Sequence, residues 1–209
     1  MKRVVLTFDD GPNPPYTSKI LDVLKKYKIK AVFFLLGRNV KLHPKTAKRI
    51  KSEGHVIGNH SFSHKDLRKI SPNKVKEEIA AAEKIFRKTL GVRPRFFRPP
   101  YGLYNNKVKG IIEDMGYKMV NWNICPEDWK SPKAKIIAAR VLKQAGIKQK
   151  GIILLHDGSN IRQGRSRKQT VLALDLIIKK LSAKGGSLPG RQAGASGGKN
   201  KKFVFDTDI

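Results

Sequence analysis

Two adjacent carboxylates near the N-terminus are the first residues in this sequence that could do chemistry. Asp9 and Asp10 follow an apolar run at residues 4–6 and precede Gly11 and Pro12. Successive side chains of a strand point to opposite faces, so both acids can serve one site only if the strand ends there and the chain turns. A Gly-Pro pair favours such a turn. The alternative is a polar turn whose acidic side chains cap their own backbone.

A pair of histidines four residues apart, His60 and His64, follows the short apolar run at residues 55–58. On a helical turn, positions i and i+4 lie on one face, so both imidazoles can approach one ion. Two structural histidines would have the same spacing, so the pair alone is weak evidence. Beside a carboxylate from another strand end, it completes the three protein ligands of a catalytic divalent metal site.

The segment FFRPPYG at residues 96–102 combines an arginine with a stiff turn. Pro99 and Pro100 carry no backbone N–H, so the next free N–H is that of Tyr101. A rigid N–H beside a metal is a candidate oxyanion donor. The guanidinium of Arg98 can clamp a carboxylate and hold it ionised. A structural proline loop with a surface arginine is the alternative.

His156 follows the fully apolar run at residues 152–155 and is expected at the rim of the core. A histidine there can titrate near neutrality and act as a general acid, particularly if Asp128 orients its ring. A purely structural histidine is the alternative. Trp129 and Leu154 resemble the walls of a small apolar pocket, although each would also suit a core position.

Short apolar runs alternate with amphipathic segments along the chain. The sequence predicts strands at residues 4–8, 31–36, 55–58, 95–97, 119–124 and 151–155, with a doubtful seventh at 203–205. It predicts helices at residues 17–27, 44–52, 72–90, 105–115, 132–144 and 167–184. Two of these helices begin with Ser-Pro, at residues 71–72 and 131–132, where serine can cap the first turn. This repeated order indicates a parallel sheet covered by helices.

Nearly every chemically suggestive group follows a predicted strand. A barrel gathers the C-terminal ends of its parallel strands on one face and surrounds a single site with them, whereas an open sheet spreads them along an edge. We therefore expect an α/β fold, a distorted (β/α) barrel of seven to eight strands in a single domain.

The chain is strongly basic, with 45 Lys and Arg against 16 Asp and Glu and a formal net charge of +29 over 209 residues. Such a charge attracts polyanions, including nucleic acids, anionic cell-wall polymers and acidic membranes. The basic residues are spread along the whole chain, and no zinc-finger, helix-turn-helix or aromatic-rich RNA-binding signature is present. We expect no specific nucleic-acid recognition.

The cysteine content limits the kinds of metal site that are possible, and the apolar runs bear on the cellular compartment. The single cysteine, Cys125, excludes an intrachain disulfide and a multi-cysteine metal site. No apolar run approaches membrane-spanning length, and residues 1–3 lead directly into the first strand. If the chain is complete as written, we expect a cytoplasmic protein; if a signal or anchor is missing, we expect a secreted or cell-wall-associated one. We expect a monomer.

Five motifs resemble, in order, those of the polysaccharide deacetylases, the family-4 carbohydrate esterases with a NodB-homology domain. They are TFDDGP at residues 7–12, HSFSH at 60–64, RPPYG at 98–102, DW at 128–129 and LLH at 154–156. The resemblance implies a catalytic domain over residues 1–184 with the distorted (β/α) barrel of that family. One departure is visible, because Cys125 stands where the fourth motif usually has its first acid.

The resemblance also implies catalytic roles. Asp9 would be the catalytic base, oriented by Arg98. His156 would act as the acid with support from Asp128, and the backbone N–H of Tyr101 would stabilise the oxyanion.

A metal site and a substrate pocket follow from the same resemblance. The implied metal ligands are Asp10, His60 and His64. Such a site suits a divalent metal, with zinc as the first choice and cobalt, nickel or iron chemically acceptable. The pocket for the acetyl methyl group would be lined by Trp129, Leu154 and Pro100.

The implied reaction is metal-dependent hydrolysis of N-acetyl groups on an N-acetylglucosamine polymer, either peptidoglycan or a chitin-type oligomer, with release of acetate. The positive charge favours an anionic cell-wall polymer over neutral chitin. One alternative is an O-deacetylase such as an acetyl-xylan esterase. Another is a basic polysaccharide- or nucleic-acid-binding module without activity.

The C-terminal region departs from the rest of the chain in composition. Residues 185–200 contain six glycines and almost no apolar side chains, which predicts a flexible segment. Residues 201–209 are expected to form a possible last strand and a C-terminal tail.

Overall fold

Seven parallel strands form one curled sheet in the part of the chain that the structure describes. The structure is a computed structural model, and it describes residues 2–160, 165–183, 203–207 and 209. The strands are β1 Lys2–Asp9, β2 Val32–Leu35, β3 Val56–Asn59, β4 Phe96–Phe97, β5 Lys118–Met119, β6 Lys150–His156 and β7 Phe203–Asp206. Their order is β5-β4-β3-β2-β1-β6, with β7 paired to β1. The doubtful seventh strand is therefore confirmed.

Strand β1 is the centre of the sheet. It pairs with β6 from Arg3 to Asp9, while its other edge is shared between β7 at its start and β2 at its end. In this register Asp9 lies opposite Phe34 on one side and His156 on the other. The candidate base and the candidate acid are thus direct neighbours across two strands.

Alternation along β1 decides which side chains reach the barrel interior. Val5 packs in an inner cluster with side chains of β2 and β4. Because strand side chains alternate between faces, Thr7 and Asp9 share the face of Val5. The other face of β1 is buried in the cluster that also contains side chains of the helices, and it consists of Val4, Leu6 and Phe8. Asp9 therefore projects into the barrel.

The sheet curls because the chain after β5 returns to β6. Ile124 forms an isolated parallel bridge with Ile153, and Leu154 N donates to Ile124 O at 2.9 Å. This agrees with the predicted distorted barrel. The strand predicted at residues 119–124 was too long, because the carbonyls of Val120 and Asn121 accept hydrogen bonds from the Arg98 guanidinium at 3.1 and 3.4 Å.

Seven α-helices cover the sheet in the described residues. They are α1 Tyr16–Lys26, α2 Gly37–Leu42, α3 Pro44–Ser52, α4 Pro72–Leu90, α5 Asn106–Asp114, α6 Ala134–Gly146 and α7 Lys168–Ala183. Six correspond to predicted helices. The sequence did not predict α2, because six residues are too few for a periodic apolar pattern. No helix among the described residues has the length and apolar character needed to cross a membrane.

The two predicted Ser-Pro helix starts behave differently. Ser71 caps α4, and its side chain accepts from Lys74 N at 3.4 Å. The start at Ser131 was wrong, because Ser131 has a left-handed backbone (φ 57) and closes the 3₁₀ turn Asp128–Lys130. That turn delays α6 until Ala134. Residues 185–200, predicted as a flexible segment, lie outside the described residues.

Candidate active site

The chain turns at the end of β1 and lets two adjacent carboxylates approach one site. The strand ends at Asp9, and Asp10 takes a left-handed backbone with φ 72. The side-chain amide of Asn39 donates to the carbonyl oxygen of Asp10 at 2.7 Å and holds this turn. Asp9 and Asp10 both line the same cavity. The turn expected at this Gly-Pro break is therefore present.

Two glycines are required where this turn meets the chain after β6. A Cβ added at Gly11 would lie 2.0 Å from the carboxylate of Asp157, and one added at Gly158 would lie 2.0 Å from the carbonyl oxygen of Asp10. Asp157 is buried, accepts from the Thr17 hydroxyl at 2.6 Å, and has a pKa that burial raises to about 7. Asp157 was not among the predicted site residues, and it does not line the cavity.

Asp10, His60 and His64 form a compact buried group whose ligand atoms all lie within 4.8 Å of one another. Asp10 Oδ1 is 3.6 Å from His60 Nε2 and 3.3 Å from His64 Nε2. This oxygen is buried and has no hydrogen-bond partner among the described residues. Burial lowers the pKa of both histidines, so both imidazoles are neutral near pH 7. Two neutral imidazoles and a carboxylate fit a divalent metal.

The loop that carries the two histidines is not a helical turn, which corrects the expectation from their spacing. Ser61 and His64 have left-handed backbones with φ 69 and φ 65. The side chain of Asn59 accepts from Ser61 N at 2.9 Å, and the Ser61 hydroxyl accepts from His64 N at 3.0 Å. Side-chain hydrogen bonds, and not helix periodicity, therefore bring the imidazoles together.

Asp9 is paired with a fully buried arginine. Arg98 Nη1 donates to Asp9 Oδ1 at 2.7 Å and to the Thr7 hydroxyl at 2.8 Å, and its guanidinium lies 4.0 Å from the centre of the Phe34 ring. Burial raises the pKa of Asp9 to about 6, and the nearby charge of Arg98 opposes this rise. A carboxylate with such a pKa is suited to accept a proton near neutral pH.

His156 is paired with a second buried carboxylate. Its Nδ1 lies 2.8 Å from Asp128 Oδ1, while its backbone N–H and the hydroxyl of Thr170 each donate to Asp128 Oδ2 at 2.8 Å. Burial acts to lower the pKa of His156, but the charge and hydrogen bond of Asp128, together with the charges of Asp10 and Asp9, outweigh it and raise that pKa. Nδ1 therefore carries a proton toward Asp128, which leaves Nε2 to exchange protons with a substrate.

One cavity of about 340 Å³ connects these groups, which is the size range of small-ligand pockets. Eight of the eleven predicted site residues line it, and they are Asp9, Asp10, His60, His64, Tyr101, Trp129, Leu154 and His156. Arg98 and Asp128 do not line the cavity, and they are buried next to Asp9 and His156, which do. Pro100, predicted for the pocket, is buried in the 3₁₀ turn Pro100–Gly102 and is not a lining residue.

Four lining residues were not predicted from the sequence, and they are Trp122, Asn160, Arg165 and Arg167. Trp122 falls in a segment that was predicted as a strand. Asn160 lies four residues after His156 at the same strand end, and that spacing was the available signal. Cys125, the departure in the fourth motif, does not line the cavity, and its backbone is held by the side chain of Gln144.

Comparison with known proteins places the chain in one family. The polysaccharide deacetylase family model matches residues 1–120. A peptidoglycan-N-acetylglucosamine deacetylase of Bacillus cereus is 41% identical over 184 residues, which cover 88% of this chain and 64% of that protein. This chain thus spans slightly under two thirds of that relative's length.

Two solved structures share the fold. The Bc1960 peptidoglycan N-acetylglucosamine deacetylase is 40% identical, with a TM-score of 0.77 over 88% of this chain and 83% of the other. A mutant of BA3943, described as a CE4 family pseudoenzyme with restored enzymatic activity, is 29% identical, with a TM-score of 0.81 over 98% of this chain and 65% of the other. On the family match and these similarities together, the chain belongs to the polysaccharide deacetylase family.

Proposed function

We propose that this protein hydrolyses N-acetyl groups of N-acetylglucosamine-containing polysaccharide in a metal-dependent reaction that releases acetate. The observation that carries the proposal is the meeting of three groups at one cavity: the triad of Asp10, His60 and His64, the Asp9–Arg98 pair and the Asp128–His156 pair. Hydrolysis of an amide needs an activated water, a proton donor for the departing amine, and stabilisation of the oxyanion.

Asp10, His60 and His64 would hold the metal, for which zinc is our first choice. When bound, a divalent metal there supplies Lewis-acid polarisation of the acetyl carbonyl and lowers the pKa of water. The unpartnered Asp10 Oδ1 and the neutral imidazoles are the observations that support this ligand set.

Asp9 acts as the general base. Its carboxylate accepts a proton from the water as the water oxygen attacks the acetyl carbon. Arg98 fixes the carboxylate through Oδ1, so Oδ2 is the oxygen available for the proton. The backbone N–H of Tyr101, at the start of a turn stiffened by two prolines, donates to the oxyanion of the tetrahedral intermediate.

His156 acts as the general acid. Protonated His156 transfers the Nε2 proton to the amide nitrogen, the C–N bond breaks, and acetate and a free amine leave. Asp128 holds the ring through Nδ1 and stabilises its charged form. Trp129 and Leu154, both lining the cavity, form the walls against which the acetyl methyl group packs.

We further propose that the polymer belongs to an anionic cell wall and that the protein acts there. Two of the three similar proteins named above, the Bacillus cereus relative and Bc1960, are peptidoglycan N-acetylglucosamine deacetylases. A net charge of +29 raises the local concentration of a basic enzyme at an anionic polymer, and salt screens this attraction. Activity on intact wall material is expected to fall with added salt more steeply than activity on a neutral chitin-type oligomer.

The deciding experiment measures acetate released by the chelator-treated enzyme before and after zinc, cobalt, nickel or iron is added back. N-acetylglucosamine oligomers, peptidoglycan and acetyl-xylan serve as parallel substrates. We expect no release without metal and recovery with zinc on the two N-acetylated substrates. Metal-independent release, or release from acetyl-xylan alone, would refute the proposal, and salt-sensitive nucleic-acid binding without acetate release would point to a binding module.

A further inference from the structure

The two histidines of the proposed metal site face different partners through their second ring nitrogen. His60 Nδ1 lies 2.7 Å from the backbone carbonyl oxygen of Arg98. A carbonyl can only accept, so this contact fixes the proton on Nδ1 and leaves the Nε2 lone pair for a metal. His64 Nδ1 instead faces the side-chain amide of Asn160 at 3.0 Å.

We propose that Asn160 is a positioning residue for His64, and that its amide oxygen accepts the Nδ1 proton when His64 binds a metal through Nε2. The inference rests on the proposed metal site. His64 Nε2 is the ring nitrogen that points to Asp10 Oδ1, at 3.3 Å, so it is the atom that must carry the lone pair. The proton then resides on Nδ1, and the group opposite must accept it.

Asn160 can meet this demand because its amide has a donor end and an acceptor end of nearly the same shape. In the structure the amide nitrogen Nδ2 faces His64 Nδ1, and it also donates to the Tyr101 hydroxyl at 3.3 Å. With the oxygen at this position, one acceptor with two lone pairs receives both the Nδ1–H of His64 and the O–H of Tyr101. A half turn of the amide exchanges its two ends with little change in shape.

The surroundings hold Asn160 in place for this role. Arg38 Nη2 donates to the backbone carbonyl oxygen of Asn160 at 2.9 Å. Arg38 lies in the first turn of α2, and its backbone N–H donates to the carbonyl oxygen of Phe62 in the histidine loop at 3.1 Å. The ring of Tyr101 contacts the edge of the His64 ring with a centroid separation of 4.5 Å. The short helix α2 thus connects the loop of His64 to the loop of Asn160.

The test measures zinc affinity of the full chain by competition with a chromophoric chelator. Partners of metal-binding histidines typically contribute 10- to 100-fold in affinity. We expect Asn160→Leu, which has a similar volume and no acceptor, to weaken zinc binding by about 10-fold or more. Asn160→Asp retains an acceptor for the His64 Nδ1 proton. Its zinc affinity should therefore stay within about threefold of that of the parent chain.

Asn73→Leu makes the same chemical change at an exposed position in the first turn of α4 and should leave zinc affinity unchanged. Parental affinity in Asn160→Leu, or equal losses in Asn160→Leu and Asn160→Asp, would overturn the role of Asn160. If the parent chain itself bound no zinc, or bound it equally well after His64→Ala, the proposed metal site would fail and this inference with it.

A second measurement does not depend on the folding of any variant. In the zinc-loaded parent chain labelled with ¹⁵N-histidine, we expect the His64 Nδ1 signal to show an attached proton and the Nε2 signal to shift on metal binding. A His64 ring with its proton on Nε2, or with zinc on Nδ1, would exclude Asn160 as the acceptor.

Discussion

Two buried carboxylates at the candidate active site each pair with a basic side chain, but their pKa values shift in opposite directions. Asp9 is paired with Arg98, and Asp128 is paired with His156. Burial acts to raise the pKa of both acids. The pKa of Asp9 is raised to about 6, whereas the pKa of Asp128 lies below its ordinary value. For Asp128, the charge of His156, the hydrogen bonds from His156 and the charge of Arg167 together more than offset burial.

The difference lies in how the two carboxylates are hydrogen-bonded. Asp128 accepts from the ring and the backbone of His156 and from the Thr170 hydroxyl, so its charged form is well solvated by the protein. Asp9 receives its hydrogen bond from Arg98 through Oδ1. A carboxylate with fewer donors is free to take up a proton, whereas one surrounded by donors remains an anion that supports a protonated histidine.

Among the substitutions that test this comparison, replacing Asp9 should have the largest effect on kcat. Asp9→Asn removes the proton acceptor and is expected to lower kcat by about 1,000-fold, within the range for loss of a general base. Zinc affinity should be nearly unchanged, because Asn has a similar volume and Asp10 is intact. Acetate release and zinc competition measure the two properties.

Asp114→Asn is the matched control, because it makes the same carboxylate-to-amide change at an exposed position at the end of α5. It should leave kcat and zinc affinity unchanged. Near-normal acetate release by Asp9→Asn would remove Asp9 from its role as base. Equal loss of zinc and activity would instead place Asp9 among the metal ligands.

Removing the charge of the second carboxylate should have the next largest effect and should change the pH profile. Asp128 raises the pKa of His156. The proposed mechanism needs His156 protonated, so we expect activity to be lost as the pH rises through that pKa. Asp128→Asn lowers the pKa of His156 and should move the alkaline limb of kcat/KM to lower pH, with about a 100-fold loss at neutral pH. An alkaline limb that stays in place would contradict the assignment of His156 as the acid.

A smaller effect should come from removing the Thr170 hydroxyl, which donates to Asp128. Thr170→Val removes one hydrogen bond to a buried carboxylate, worth roughly 1.5 kcal/mol, and is expected to lower kcat by about tenfold. Thr170→Ser keeps the hydroxyl and should retain most of the activity. Steady-state kinetics of the two variants give the contrast, and an equal loss in both would mean that packing, and not the hydrogen bond, explains the effect.

Thr7→Val is the corresponding hydroxyl removal at the other pair, because the Thr7 hydroxyl accepts from Arg98, the partner of Asp9. Thr7 accepts from Arg98 and does not contact Asp9 through a hydrogen bond in the structure. Its removal should therefore leave the alkaline limb of the pH profile in place. A shift of that limb in Thr7→Val would show that the two carboxylate pairs are not independent.

The strand-end positions of the site residues could be predicted because they follow from local pattern and sheet geometry. Apolar runs mark the strands, parallel pairing aligns their ends, and Asp9 and His156 accordingly lie opposite each other in β1 and β6. The short helix α2, the left-handed Ser131 and the cavity position of Asn160 could not be predicted in this way. Helix α2 and Asn160 depend on residues distant in the chain, such as Phe62 for α2 and Arg38 for the Asn160 carbonyl, and none of the three features produces a periodic pattern.

The sequence by itself determined which chemical groups are available and which edge of the sheet carries them. The tertiary structure decided what each group can do. Asp9 gains its partner from Arg98, 89 residues away, and His156 gains its partner from Asp128, 28 residues away. Protonation, tautomer and orientation depend on burial and on hydrogen bonds across such separations, so they exist only once the barrel has closed around the cavity.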